Sequence, residues 1–274
     1  MKLRVLPASR GWVWVRQGVL LCRQQTLGFV SLLGLFLTGA LVLMAVPLIG
    51  PVIVISAMPA IWMAFMLASR RVMLGQRITP SVMIEALADP QQRPTWLRLG
   101  SLYAAATVVV MVLASYLGPD MEALGKALEA AQASEDAIGN PVLIQSMLWR
   151  LSLTLPVSLV FWHTPALIHW ARLPLGKALF FSAVASWRNL GAFAVYGLSW
   201  AAVIALVALP IQAIAILVPE PTVATMAAAA AGLWLAAAFY ASLYFSVVEC
   251  FDARKDDGTQ DWSPESEAKP AVKP

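Results

Sequence analysis

The sequence predicts an all-α fold: a polytopic membrane helical bundle with six transmembrane helices. Three observations lead there. Of the 274 residues, 60% are hydrophobic and only 12% are charged, about half the charge of an ordinary soluble domain. Mean hydropathy is +0.74, so the chain carries more apolar surface than a single core can hide. The apolar residues also gather into six continuous stretches, over about 27–49, 51–69, 100–118, 148–169, 191–218 and 222–248. Each can cross a hydrocarbon core, which takes about 20 residues of helix. Barrel strands would alternate apolar and polar positions. Runs such as Ala201–Leu209 are apolar throughout and satisfy their backbone in lipid only as helices.

The elements follow in order. Residues 1–26 read as a cytoplasmic amphipathic segment. Ser9 is placed to cap a helix with Trp12, Val15, Val19 and Cys22 on one face, and Arg23 and Gly28 lead into the first span. That span begins near Leu27, late for a cleavable signal, so it is expected to stay in the membrane. Gly50–Pro51 predicts a tight turn between the first two spans, and Pro59 a kink in the second. In the connection 70–99, Pro80–Ser81 starts a second amphipathic segment. It has Glu85 and Asp89 on one side and Met83 and Leu87 on another, and Arg98 and Gly100 follow. The loop 119–146 predicts a helix from the spacing of Met121, Leu124, Leu128 and Ala131. Pro174 starts a third segment with Ser182, Ser186 and Asn189 on one face, then Arg188 and Gly191.

Three amphipathic segments, each before a pair of spans, suggest a threefold repeat of interfacial helix and transmembrane hairpin. Ordinary insertion signals would give the same pattern. In the last span Ala228, Gly232 and Ala236 recur every four residues, the small-residue spacing that lets helices approach closely. Residues 27–250 thus form the six-helix transmembrane domain. Residues 251–274 are polar and Pro-containing and are expected to form a disordered cytoplasmic tail.

Charge sets the expected orientation. Seventeen of the 19 Lys and Arg residues lie on the side of the termini, and only Lys126 and Arg150 lie opposite. Basic residues are retained in the cytoplasm, so both termini are expected inside a bacterial cytoplasmic membrane. The net charge of +4 is then a mark of topology, and no nucleic-acid partner is expected. Cys22 and Cys250 fall on the inner side and read as two reduced thiols. Trp12, Trp14, Trp96, Trp149, Trp170 and Trp187 are expected near the membrane interfaces.

Polar residues inside spans are costly and mark candidate sites. The fourth span carries Ser158, His163 and Thr164 between and beside Pro156 and Pro165. Each proline removes a backbone donor and loosens the helix there. A polar cavity beside this broken helix is one expectation. Hydrogen bonds from a neutral His163 to a neighbouring helix are the other. In the sixth span Ser242, Ser246 and Glu249 recur at i, i+4 and i+7. This stripe could serve a proton or cation path, or Glu249 could pair with an arginine of a cytoplasmic segment. No phosphate loop, zinc helix or nucleophile elbow occurs in the sequence. No catalytic residue, metal or cofactor is therefore expected, and the chain is read as non-enzymatic.

Arg10-Gly-Trp-Val-Trp, Val46-Pro-Leu-Ile-Gly-Pro, Thr164-Pro-Ala-Leu, Lys177-Ala-Leu-Phe-Phe-Ser, Trp187-Arg-Asn and Tyr196-Gly together resemble an uncharacterised family of proteobacterial multi-pass inner-membrane proteins. The likeness extends over roughly residues 8–250. It implies a Gram-negative cytoplasmic membrane, six helices and an aromatic residue where this chain has His163. It implies no activity. The leading expectation is a protein acting through lipids of the bilayer or through a membrane or cytoplasmic protein partner. The alternative is a small-molecule or ion transporter or channel.

Overall fold

The computed structural model describes residues 2–133, 140–218 and 220–252. In chain order these form β1 (Lys2–Leu3), α1 (Arg10–Gln24), α2 (Thr26–Met44), α3 (Ile49–Met73), α4 (Val82–Glu85), α5 (Arg93–Leu117), α6 (Met121–Ala133), α7 (Pro141–Phe161), α8 (Thr164–His169), α9 (Leu175–Arg188), α10 (Leu190–Leu217), α11 (Pro221–Cys250) and β2 (Phe251–Asp252). Six helical stretches are long and apolar enough to span a bilayer: α2, α3, α5, α7 with α8, α10 and α11. The fold is all-α apart from the two-residue antiparallel ladder, which pairs Lys2 with Asp252 and Leu3 with Phe251. This ladder brings the described chain ends to one face, here called the terminal face.

Helix ends depart from the hydropathy boundaries where local chemistry extends or moves them. α5 starts at Arg93 because Pro94 fits its first turn. α7 starts at Pro141, with the Asn140 side chain accepting from the Val142 N–H at 3.0 Å. The first hairpin does not turn at Gly50–Pro51, which lie inside the first turn of α3. It turns at 45–48, where Leu48 takes φ 64°. Gly50 instead allows a close approach: a Cβ there would lie 1.9 Å from the Leu43 carbonyl oxygen.

The core gathers toward the terminal face. It holds the second half of α3, α8, the first turns of α10 and the second half of α11. α1 is part of this core. Its buried face is Gly11, Trp14, Val15, Gly18, Leu21 and Cys22; Val15 and Cys22 of the expected face belong to it, and Trp12, 49% exposed, does not. A Cβ on Gly11 would sit 2.1 Å from the Ala192 carbonyl oxygen of α10. One on Gly18 would sit 2.3 Å from the Ser242 Cβ of α11. The two glycines let α1 press backbone to backbone against both helices. Trp14 and Trp96 are likewise buried, so their rings face the protein core.

The opposite halves of α2, α10 and α11 present apolar side chains outward, among them Leu41, Leu206, Ile216 and Met226. Such a surface is stable only in lipid. Ala228 and Gly232 belong to this outward region, and a Cβ on Gly232 would meet nothing within 4 Å. They therefore do not serve helix packing within the chain. Close packing falls further along α11, where Ala237, Ala238 and Ala241 are buried and the Ser69 hydroxyl of α3 donates to the Ala241 carbonyl at 3.0 Å.

The order of short helix and two spans does occur three times, but α4 has four residues against fifteen in α1 and fourteen in α9. In the second unit Glu85 pairs with Arg71 at 2.6 Å, and Asp89 pairs with Arg172. In the outer loop, α6 packs on α7, with Leu124 and Leu128 beside Met147 and Leu151. The expected tail loses its first two residues to β2, since Phe251 is buried and paired. Residues 253–274 lie outside the described residues.

Candidate functional site

Polar residues of the fourth and sixth spans make two sets of contacts with neighbouring helices. The first set begins at a break. Pro165 has no N–H, so the helical ladder cannot run unbroken from α7 into α8. The His163 N–H, which would bond to Leu159 in a continuous helix, donates instead to the Ser182 hydroxyl at 3.0 Å. The Leu159 carbonyl accepts from the Ser186 hydroxyl at 2.9 Å. Two serines of α9 thus fill a gap in another helix, satisfying the groups that a break in lipid leaves exposed. Thr164 closes the edge of the break by donating to the Val160 carbonyl at 2.9 Å.

His163 is fully buried. Its ring stands edge-on to Phe193 and Phe251, with centroids 5.8 and 5.2 Å away. Nδ1 lies 3.4 Å from the Ser186 oxygen. The Ser186 proton points to Leu159, so the network assigns the remaining proton of this contact to His163 Nδ1.

The second set is the stripe on α11. The Ser242 and Ser246 hydroxyls donate to the Phe239 and Leu243 carbonyls at 2.6 and 2.8 Å. Their oxygens are then free to accept. The Tyr196 hydroxyl of α10 donates to Ser242 at 2.6 Å, and Trp162 Nε1 at the end of α7 donates to Ser246 at 2.9 Å. Trp14 Nε1 of α1 donates to Glu249 Oε2 at 2.9 Å. One face of α11 therefore receives one aromatic donor from each of three other helices. Arg10 completes it with two hydrogen bonds to Glu249, Nε to Oε2 at 2.7 Å and Nη2 to Oε1. The hydrogen bonds to Glu249 raise the Arg10 guanidinium above its ordinary pKa. The rings of Trp14, Phe193, Tyr196 and Trp162 also touch one another, with centroids 5.2 to 6.0 Å apart.

Asn189, between α9 and α10, closes the terminal face. Its Oδ1 accepts from the Leu6 N–H at 2.8 Å, and its Nδ2 donates to the Arg4 and Ala185 carbonyls at 3.0 and 2.9 Å. Gln25, between α1 and α2, works in the same way, donating to the Gln76 carbonyl at 2.7 Å and accepting from the Ile78 N–H at 3.0 Å.

Five of the six candidate residues, His163, Thr164, Ser242, Ser246 and Glu249, are thus engaged with neighbouring groups. Ser158 stands apart and lines a separate cavity with Trp62, Trp162 and Tyr240. The six do not line one common channel. The serine protons beside His163 are spent on backbone carbonyls, and the imidazole has no open approach. Among the described residues no three His, Cys, Asp or Glu side chains converge as a metal site would require. Glu249 pairs with an arginine of a cytoplasmic segment as one expectation had it, and that arginine is Arg10; Trp14 and Gln25, and the partners of Asn189, were missed from sequence. An amide at each junction between a short helix and a span was the available signal.

Six lipid-length helices stitched by polar contacts around a packed core define a polytopic α-helical membrane protein. Over 258 residues, 93% of the chain, the sequence is 32% identical to a probable inner membrane protein of Burkholderia thailandensis, of which it covers 96%. The chain belongs to this family of bacterial inner-membrane proteins. No family model matches it, and no solved structure matches it.

Proposed function

We propose that the protein is a non-enzymatic inner-membrane protein that works through anionic phospholipid of the cytoplasmic leaflet, with both termini on that side. The observation that carries this reading is the inverted amphipathicity of α9. Its serine and asparagine face is spent inside the protein, on the helix break and the chain terminus. Its outward face carries Lys177, Phe180, Phe181, Trp187 and Arg188, with Phe180 63% and Trp187 73% exposed. Aromatic rings and cations on one face suit the boundary of headgroups and acyl chains. Each basic residue near anionic lipid contributes about 1 kcal/mol. α1 repeats the design on its outer face with Trp12, Arg16, Leu20 and Arg23.

Two measurements test the proposal. The full chain is reconstituted in nanodiscs of phosphatidylcholine with phosphatidylglycerol, and retained lipid is read by native mass spectrometry. Wild type is expected to enrich phosphatidylglycerol. Lys177→Gln with Arg188→Gln is expected to lose most of that enrichment, as is high salt. Equal retention of both lipids by the wild type would refute the reading. Orientation needs introduced cysteines, because Cys22 and Cys250 are both buried and report on neither side. In a cysteine-free background, Lys126→Cys should react with an impermeant maleimide on intact cells. Lys177→Cys should react only after permeabilisation.

A further inference from the structure

We infer that the cavity beside Ser158 binds a small, uncharged, ring-containing molecule that carries one hydrogen-bonding group. The cavity measures about 210 Å³ and lies among α3, α7 and α11. Its walls include Trp62, Trp162, Phe239, Tyr240 and Leu243, and Ser158 supplies a hydroxyl. This inference is independent of the lipid contact at α9.

The walls are held open by their neighbours. Trp62 stacks edge-on to Tyr103 with centroids 5.1 Å apart, and Tyr240 lies 4.9 Å from Phe65. The Trp162 N–H is committed to Ser246. Interlocked rings of this kind do not collapse inward to fill a void.

The lining also selects the occupant. No lining side chain is an acid, a base or a histidine, so an ion would find no counter-charge. Water fits poorly: at about 30 Å³ each, some seven molecules would fill the space, and each needs two to four polar partners. An apolar cavity of about 150 Å³ takes one benzene ring, so this one takes a ring with a substituent.

Ser158 specifies the polar end. Elsewhere in α7 and α8 the hydroxyls of Ser152 and Thr164 donate to their own helix backbone, at 2.7 and 2.9 Å. Ser158 makes no such bond with any described residue. An acyl chain could cover the carbon surface but offers this hydroxyl no hydrogen-bond partner.

The test uses the full chain in detergent, with benzyl alcohol and toluene as probes. Binding is read by saturation-transfer NMR against empty micelles. Wild type is expected to bind benzyl alcohol about three- to tenfold more tightly than Ser158→Ala does, while toluene binds both alike. Ser158→Leu should fill the space and abolish binding of both probes, with phosphatidylglycerol retention unchanged. Equal benzyl alcohol affinity in wild type and Ser158→Ala would overturn the inference. So would undiminished binding in a folded Ser158→Leu, which means partition into the micelle only. If Ser158→Leu does not fold, the Ser158→Ala comparison decides alone.

Discussion

Glu249 collects three hydrogen bonds from two residues of one helix, and its contribution to stability depends on how much water reaches it. The Arg10 and Glu249 side chains keep 36% and 20% of their exposure, so screening reduces the pair well below a buried one. A double-mutant cycle of Arg10→Ala and Glu249→Ala, read by denaturation in detergent, is expected to give a coupling of about 1 kcal/mol. Trp14→Phe removes the N–H and part of a fully buried ring, and is expected to cost more than the roughly 1 kcal/mol of the lost bond because it also leaves a cavity.

Asp89 offers a pH signature. The hydrogen bond from Arg172 holds its carboxyl below its ordinary pKa. The folded state therefore binds this proton less readily than the unfolded chain, where the value is about 3.9. The stabilisation is complete above that value and disappears as pH falls through the depressed folded pKa. Wild type and Asp89→Asn should differ by a constant melting-temperature gap at neutral pH. The gap should close below about pH 4. Cys22 is buried and its thiol is pushed up to about 11 by desolvation. It should resist alkylation at pH 8 in the folded protein and react once the protein is unfolded in SDS.

At the scale of elements, the break between α7 and α8 depends on α9. Removing a hydroxyl leaves the Leu159 carbonyl or the His163 N–H unpaired in a dry interior. Ser182→Ala and Ser186→Ala should each cost about 1–3 kcal/mol. The double variant should cost more than the sum, because both hydroxyls lie within reach of the same Leu159 oxygen, at 3.4 and 2.9 Å, and either can serve it when the other is lost. For α1 the decisive residues are its glycines. Gly18→Leu should undock the helix and raise hydrogen exchange over residues 10–24, leaving the exchange of α5 unchanged.

These two elements show how far spacing reaches. The face of Ser182, Ser186 and Asn189 was legible from helical periodicity, but not its partners, which belong to other helices. The face of α1 was legible only in part: Val15 and Cys22 are buried as expected, but Trp12 lies outside and Gly11, Trp14 and Gly18 were not counted in it. Gly11 and Gly18 carry little hydrophobicity, and their value lies in close approach, which composition does not register. The same gap explains Ala228 and Gly232. Small residues permit contact, and only the course of a second helix decides whether contact occurs.

Across the whole molecule, the distribution of packing separates two kinds of surface. The terminal half is tied by hydrogen bonds among helices, while the opposite half presents leucine, isoleucine and valine outward to lipid. The six crossings, the all-α class and the charge asymmetry were determined by the sequence alone, because hydropathy and charge add up locally along the chain. The six candidate residues were also visible there, since a polar side chain in an apolar run stands out wherever the run goes. What each of them does was decided only by the tertiary structure. A hydrogen bond needs a partner at the right distance and direction, and those partners come from α1, α7, α9 and α10, brought together only when the helices pack. His163, Ser242, Ser246 and Glu249 became joints between helices, Thr164 closes the break in its own span, and Ser158 was left facing a cavity.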